Sequence, residues 1–288
     1  MPSSHATSAP AGAHASEAML TELKSRWKRL HQADREPWPD ERLINALARK
    51  HKSFAAWLET QSEAATVAHS LQRAWCDFHS GEFRRAIKLG SDLGPLGACV
   101  ANKAVAVESL NAAPNAAHVI EALTVATERG EQAVRLLPDV ANVHYTLALV
   151  LGRYSQRISI LKALAAGLAG RVREHLERAL QLEPRHAEAH VALGLYHAEI
   201  LNKLGTIAAS LTYGVSRDAA LEHLERAARL APASPIVRIE HANGLLLIDG
   251  ARYRAQAAEL YAQAAACTPA DMMEQLDVER ARRGLRPA

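Results

Sequence analysis

The sequence has few aromatic residues: phenylalanine, tyrosine and tryptophan together make up 5% of its 288 residues. Aromatic and β-branched side chains favour strands, whereas the alanine and leucine that dominate here favour helices. The scarcity of aromatic residues therefore argues against an all-β protein. Because most of the apolar volume comes as small methyl groups, helices can approach closely, but a single core of large side chains is not expected.

Cysteine and long apolar runs are also scarce. Cys76, Cys99 and Cys267 lie far apart without a CxxC pair, which favours reduced thiols in a cytoplasmic protein over a disulfide framework. No uncharged apolar run approaches the ~18 residues of a membrane span, so no span is predicted. Residues 1–16 are rich in alanine, serine, histidine and proline, and we expect a disordered lead rather than a signal peptide.

Charge and motifs give no indication of nucleic-acid binding or catalysis. Basic residues number 34 and acidic residues 31, a balance that argues against the clustered basic face of a nucleic-acid-binding protein. The GxSxG, GxxxxGKS/T and GxGxxG motifs are absent. His186, His190 and His197 lie close together in the sequence but lack the HExxH order of a zinc site. The sequence therefore predicts no enzyme, no catalytic residue, no cofactor and no metal.

The large aromatic residues set the N-terminal region apart, since all four tryptophans and all three phenylalanines lie before residue 84. From residue 17 to residue 30, apolar residues recur at three- and four-residue spacing, which predicts an amphipathic helix. Pro37 and Pro39 end this pattern, and Asp40 is placed to cap a second helix. We expect residues 17–64 to form an N-terminal helical cap.

Alanine marks an internal repeat in the rest of the chain. A proline follows five residues after each of four alanines, and apolar residues lie seven before and three after each one. These offsets describe one face of a helix that the proline ends. The aligned residues are Ala133, Ala179, Ala227 and Ala264, with Pro138, Pro184, Pro232 and Pro269.

A first helix precedes these second helices. One such helix contains Leu193-Gly194, and Gly81, two residues before Phe83, is placed at a turn between two helices. Together with the alanine and proline positions, these residues resemble the tetratricopeptide repeat over roughly residues 67–269. The resemblance implies an all-α fold, an antiparallel helix-pair solenoid with a right-handed superhelix. We expect about five units over residues 65–269, followed by a C-terminal capping helix and tail over 270–288.

Two adjacent units are longer than the standard repeat of about 34 residues. The additional residues form insertions at 152–170 and 198–216, between the first and second helix of each unit. Both insertions are apolar on one face and compatible with helix, so we expect lengthened helices and an extra turn. Adjacent long units over roughly residues 138–269 resemble the regulator of microtubule dynamics family and its bacterial relatives.

The concave wall of such an array is the candidate functional surface, because stacked first helices line it. In the tetratricopeptide family this groove usually receives an extended peptide or a helix of another protein. The resemblance therefore implies a protein partner and an adaptor or scaffold role. The candidate partner-binding residues at inward positions are Asn142, Tyr145, Leu149, Arg153, Glu188, Val191, Leu195, Glu199 and Asn243.

The sequence leaves other readings of this surface open. In one, the apolar inserted segments fold into the groove and close it. In another, the chain is a ligand-binding or transport-accessory protein with an apolar cavity at the insertions, beside Tyr154, Tyr196 and Tyr213. Association into a homodimer also stays open, since the ends of an array need covering and the first helices are rich in tryptophan.

Overall fold

The computed structural model describes residues 16–110, 113 and 116–285, and every regular element within them is an α-helix. Of the predicted lead only Ser16 is described, and the rest of it and residues 286–288 lie outside the described residues. In chain order the helices are α1 (Glu17–Leu30), α2 (Glu41–Lys50), α3 (Lys52–Glu59), α4 (Ala64–His79), α5 (Phe83–Asp92), α6 (Gly94–Leu110), α7 (Ala117–Leu136), α8 (Ala141–Ser155), α9 (Ile160–Ala165), α10 (Leu168–Leu182), α11 (Ala187–Leu204), α12 (Thr206–Tyr213), α13 (Arg217–Leu230), α14 (Pro235–Ala265) and α15 (Met272–Gly284).

Helices pack in successive pairs along the described part of the chain. Helix α4 packs on α5, α6 on α7, α8 on α10, and α11 on α13. Helix α14 is divided into two arms, because the extended backbone of Asp249 (φ −165°, ψ 90°) interrupts it. Neighbouring pairs stack through contacts of α6 with α8 and of α11 with α14. The all-α helix-pair solenoid predicted from the repeat is thereby confirmed.

Small residues lie where the paired helices touch. The fully buried repeat alanines are Ala133, Ala179, Ala227 and Ala264. Gly194 permits a closer approach still, since a methyl group added there would lie 2.8 Å from Leu224 Cγ and 3.1 Å from the carbonyl oxygen of Ala220. The Leu-Gly pair found in the sequence is therefore the contact at which α11 meets α13.

Replacing Gly194 with alanine tests this contact. The added methyl group has no room beside Leu224, so we expect G194A to lower the free energy of unfolding by about 1–3 kcal/mol. Gly152 in α8 is the matched control, because nothing lies within 4 Å of a methyl group added there. We expect G152A to raise stability by up to about 1 kcal/mol, the helix preference of alanine over glycine. Urea denaturation measures both, and a shift in the same direction for both variants would contradict the packing.

The two insertions differ in structure. Helix α11 runs on to Leu204, as expected for a lengthened helix, and α12 follows it. Helix α8 instead ends at Ser155, and α9 is a separate short helix, so the expectation of a lengthened helix is wrong for α8. Arg157 accounts for the difference, because its guanidinium donates to the carbonyl oxygens of Ser109 and Ala113 and fixes the chain beside the end of α6.

The N-terminal region crosses the inner side of the array. Residues 31–36, which we call the strap, follow α1 outside any helix. The carbonyl oxygen of Ala33 accepts from the backbone N–H of Glu188 in α11 at 3.1 Å. The carbonyl oxygen of Asp34 accepts from the Asn142 side-chain amide in α8 at 2.9 Å. The strap, rather than either inserted segment, therefore occupies the bottom of the groove.

Charged side chains hold the strap in place. Asp34 is buried, with His31 Nδ1 at 2.9 Å and Lys103 Nζ at 2.5 Å from its carboxylate oxygens. Burial disfavours the charged form, but His31 and Lys103 outweigh it and hold the pKa of the Asp34 carboxyl well below its usual range. Lys103 Nζ also lies 3.0 Å from Glu188 Oε2 in α11. The strap is thereby joined through ion pairs to α6 and α11.

The same region reaches the C-terminal helix. His31 Nε2 lies 3.0 Å from His79 Nε2, and His79 Nδ1 lies 2.6 Å from the carboxylate of Asp271, which caps α15. The Arg29 guanidinium donates two bonds, at 2.9 and 3.0 Å, to the Glu274 carboxylate. The first and last helices of the described chain are thus bound to each other.

Candidate functional site

A cavity of about 670 Å³ lies between the inner wall of the array and the two insertions. Helices α8, α11 and α14 contribute to its wall, and so do Gly167 and Leu168 of the first insertion and Tyr213 of the second. Small-molecule sites have volumes of roughly 300–1,000 Å³, so this cavity is of that size. Its apolar lining includes Leu149, Val172, Leu195, Tyr196, Ile200 and Leu247.

Eight of the nine predicted partner-binding residues line this cavity. They are Tyr145, Leu149, Arg153, Glu188, Val191, Leu195, Glu199 and Asn243. The ninth, Asn142, is buried beneath the strap, and its Oδ1 accepts from His186 Nε2 at 3.0 Å. Burial lowers the pKa of His186 to about 3, and its Nδ1 accepts from the N–H of Ala189, so the neutral ring carries its proton on Nε2. Asn142 therefore holds the strap instead of facing the cavity.

Each carboxylate that lines the cavity lies beside a cation. The pairs are Glu188–Lys103 at 3.0 Å, Glu199–Lys203 at 3.2 Å and Glu240–Arg280 at 2.6 Å. Burial disfavours ionised Glu240, but Arg280 and Arg153 outweigh it and lower the pKa of that carboxyl. Negative charge on the wall is therefore already compensated by the protein.

Two polar groups of the wall have no hydrogen-bond partner among the described residues. They are the Nε atom of Arg153 and the hydroxyl of Tyr196, both buried. The Nη1 atom of Arg153 makes one long contact, 3.4 Å, to Gln156 Oε1. Burial lowers the pKa of the Arg153 guanidinium, with Glu240 opposing this effect and Arg280 adding to it. Because an unsatisfied buried donor is costly, these two groups are the candidate polar contacts of a guest.

The tyrosines predicted to flank an apolar cavity divide between two places. Tyr196 and Tyr213 line the cavity. Tyr154 packs instead against a separate cluster that contains Leu123 and Leu151. Helix α8 contacts α6 and α7 on that side, so successive residues of the helix face different neighbours. The expectation is wrong for Tyr154.

Apolar side chains of the insertions are exposed near the cavity. Leu161 in α9 is 77% exposed, and Ile207 and Leu211 in α12 are 79% and 85% exposed. Ile207 and Leu211 are four residues apart and share one face of their helix. We call Ile207 and Leu211 the apolar ridge. Residues 204–216 contain no charged side chain, so the ridge around α12 is both exposed and uncharged.

The three histidines that lie close together in the sequence make different hydrogen bonds. His186 bonds to Asn142, His190 Nδ1 lies 2.9 Å from His223 Nδ1, and His197 Nδ1 accepts from the N–H of Ser216 at 3.3 Å. Among the described residues, no group of three or more His, Cys, Asp or Glu side chains is arranged to hold a metal ion. His190 and His197 both lie beside the His223 ring, whereas His186 lies beside Asn142.

A protein-family model matches most of the helix-pair array. The family model described as Regulator of microtubule dynamics protein 1-3 matches residues 100–282. The chain belongs to this family. The match includes both long units, so the resemblance predicted from residues 138–269 is confirmed.

Other comparisons add little to the family assignment. Among solved structures, the chain is similar to a monomeric mutant of IFIT1 with m7Gppp-AAAA, at 16% identity and a TM-score of 0.41. That alignment covers 92% of this chain and 72% of the other chain. No curated protein sequence matches the chain. Within the described ranges, no helix has both the length and the apolar character needed to cross a bilayer.

Sequence reasoning missed the residues that hold the strap. In the sequence, Asp34 reads as an acidic flank of a basic helix, and Arg280 as part of the charge pattern of a capping helix. Lys103 did offer a signal, because it is the one charged side chain between Gly94 and Val107 of an apolar helix. A lone charge in such a helix requires a buried partner.

A second, smaller cavity of about 150 Å³ lies between the strap and α15. Arg153 and Arg280 line both cavities, so the two spaces share a wall. Asp277 of α15 lines the smaller one and is buried. Burial raises the pKa of the Asp277 carboxyl to about 8. The positive charge of Arg280 lowers this pKa in part, and the negative charge of Glu240 raises it further. Asp277 is therefore protonated at neutral pH.

The raised pKa of Asp277 should make the stability of the protein depend on pH. A raised pKa in the folded chain gives stability that is fully present below the unfolded value, 3.8, and is lost as the pH rises through about 8. Asp277→Asn keeps the shape and stays neutral, so its Tm should rise relative to wild type between about pH 5 and about pH 9. Thermal unfolding followed by circular dichroism measures the difference. A gap between the two proteins that is the same at both pH values would contradict the assignment.

Proposed function

We propose that this chain is a non-enzymatic binding protein that takes the apolar part of a small molecule into the larger cavity. The observation that carries the proposal is the cavity itself, about 670 Å³ of mostly apolar space within a packed array. Both insertions contribute to its wall. That contribution supports the ligand-binding alternative over a plain peptide groove.

The strap also favours a guest confined to the cavity. Its backbone already bonds to Asn142 and to the N–H of Glu188. A peptide running the length of the groove would break these bonds and leave Asp34 without its partners, and breaking a buried ion pair costs about 3–5 kcal/mol. A small guest leaves the strap where it is.

The ion pair at the strap fits binding rather than catalysis. Shifts in pKa cluster around the strap, and those of Asp34 and Lys103 have the directions of an ion pair, whereas burial raises the pKa of Glu36 and of Asp277 to about 8. The pKa of Asp34 is lowered, and that of Lys103 is raised because Asp34 and Glu188 outweigh the effect of burial. Structural ion-pair networks shift pKa values in this way without any reaction.

Filling the cavity should abolish binding of an apolar probe. Ala192 in α11 lines the cavity, so the ring in Ala192→Trp would occupy space that a guest needs. We expect this variant to bind N-phenyl-1-naphthylamine at least about tenfold more weakly than wild type, as judged by fluorescence titration. Ala255→Trp is the control, because Ala255 is exposed on α14 outside both cavities. Dye binding that is unchanged in Ala192→Trp would contradict the proposed site.

A second candidate function, association with a protein, is favoured by the apolar ridge. Exposed apolar groups of this kind mark contact surfaces. Two of the four tryptophans, Trp27 and Trp75, are buried in the core, which favours the exposed ridge as the surface of the homodimer left open by the sequence. We propose a second copy of this chain as the occupant, since an apolar patch can pair with itself about a two-fold axis.

Sedimentation equilibrium tests the second candidate. Wild type should form a dimer whose population rises with concentration, and the double variant Ile207→Ser with Leu211→Ser should remain a monomer. Val125→Ser is the control, because Val125 is 52% exposed on α7 and does not belong to the ridge. A wild-type chain that stays monomeric at high concentration would rule this candidate out.

A further inference from the structure

Arg153 has a distinctive position on the wall that the two cavities share. It follows Leu149 by about one turn of α8, and both side chains line both cavities. Arg280, from α15 at the other end of the chain, lines the same wall. Two guanidinium groups from distant parts of the sequence therefore border one space.

Arg153 differs from the other charged side chains of this wall, because they form ion pairs. Arg280 is paired with Glu240 at 2.6 Å, and the remaining carboxylates of the larger cavity, Glu188 and Glu199, have lysine partners. Arg153 makes no salt bridge with any carboxylate of the described residues, and Glu240 acts on it only from a greater distance. Among the arginine and lysine side chains named on this wall, Arg153 is therefore the one that forms no ion pair within the described residues.

The free donor of Arg153 selects for an anion. Its buried Nε atom has no acceptor among the described residues. A guanidinium presents its donors as a rigid fork that fits a carboxylate or a phosphate through two parallel hydrogen bonds. Arg280 repels Arg153, and its charge contributes to the lowered pKa of the Arg153 guanidinium. An anion that contacts the Arg153 guanidinium from the cavity would offset this repulsion.

The rest of the cavity selects for a hydrocarbon. Leu195, Ile200 and Tyr213 line it, and the carboxylates among them are already paired. Burying a second charged or polar group against these side chains without a partner is unfavourable. A guest that satisfies both parts of the cavity has one anionic end and one apolar end.

We infer that the cavity binds a single-chain amphiphile whose anionic head, a carboxylate or a phosphate monoester, pairs with Arg153. The hydrocarbon chain then lies among the apolar side chains of α11 and the insertions. This inference rests on the proposed function and gives the chemical class of the guest.

Isothermal titration calorimetry on the full chain tests the inference with three probes of equal chain length. The probes are dodecanoate, dodecyl phosphate and dodecan-1-ol, each below its aggregation limit. Wild type should bind the anions about tenfold to a hundredfold more tightly than the alcohol, the range expected for a charged hydrogen bond. The stronger of the two anions identifies the head group, and inorganic phosphate alone should bind far more weakly than dodecyl phosphate.

Variants then assign the preference to one side chain. Arg153→Gln should bind the anions as weakly as wild type binds the alcohol, with affinity for the alcohol unchanged. Arg153→Lys, which keeps the charge but loses the fork, should retain part of the preference. Arg226→Gln is the control, because Arg226 is exposed on α13 outside both cavities.

The outcomes separate the inference from the function on which it rests. Equal binding of anions and alcohol by wild type would overturn the anionic head while leaving the cavity as a binding site, and this comparison requires no variant to fold. Loss of all three probes in Arg153→Gln would also overturn it, because Arg153 would then shape the cavity rather than hold a head group. Failure of wild type to bind any probe, or the naphthylamine dye, would overturn the proposed function itself.

Discussion

A carboxylate in the middle of a helical array is stable only where opposite charge surrounds it. Asp34 meets this condition through His31 and Lys103, and Lys103 in turn pairs with Glu188. Because these residues come from the strap, α6 and α11, one buried charge fixes the mutual positions of three separate parts of the chain. The floor of the groove, and hence the space left above it, depends on this ion pair.

Small and large apolar residues lie in different parts of the array. Alanine and glycine lie between the helices of each pair, where a larger side chain would force them apart. Other leucine and tyrosine residues, such as Leu195 and Tyr213, lie on the inner wall and the second insertion, where they surround the cavity. Helix α8 serves both purposes, since Asn142 at its start holds the strap and Arg153 near its end borders the cavity.

The predictable part of this protein was the part encoded by local periodicity. The spacing of alanine and proline marks helix faces and ends, and neighbouring helices of a repeat pack on each other, so Ala179 and Ala227 could be assigned to contacts. Inward positions follow from the same phase, which is why residues such as Leu195 were found. Neither the strap nor the free donor of Arg153 could be found in this way. The strap, for example, depends on Lys103 and Asn142, which lie 69 and 108 positions from Asp34.

The bond between Arg29 and Glu274 joins residues that are 245 positions apart in the chain. Solenoids ordinarily fold as a row of units, each needing only its neighbours, so that one end can melt while the other persists. A contact of such long range raises the average sequence separation of native contacts, and proteins of that kind fold more slowly. The bond between Arg29 and Glu274 therefore couples the first helix to the last. The array is thereby expected to unfold as a single cooperative unit rather than from its ends.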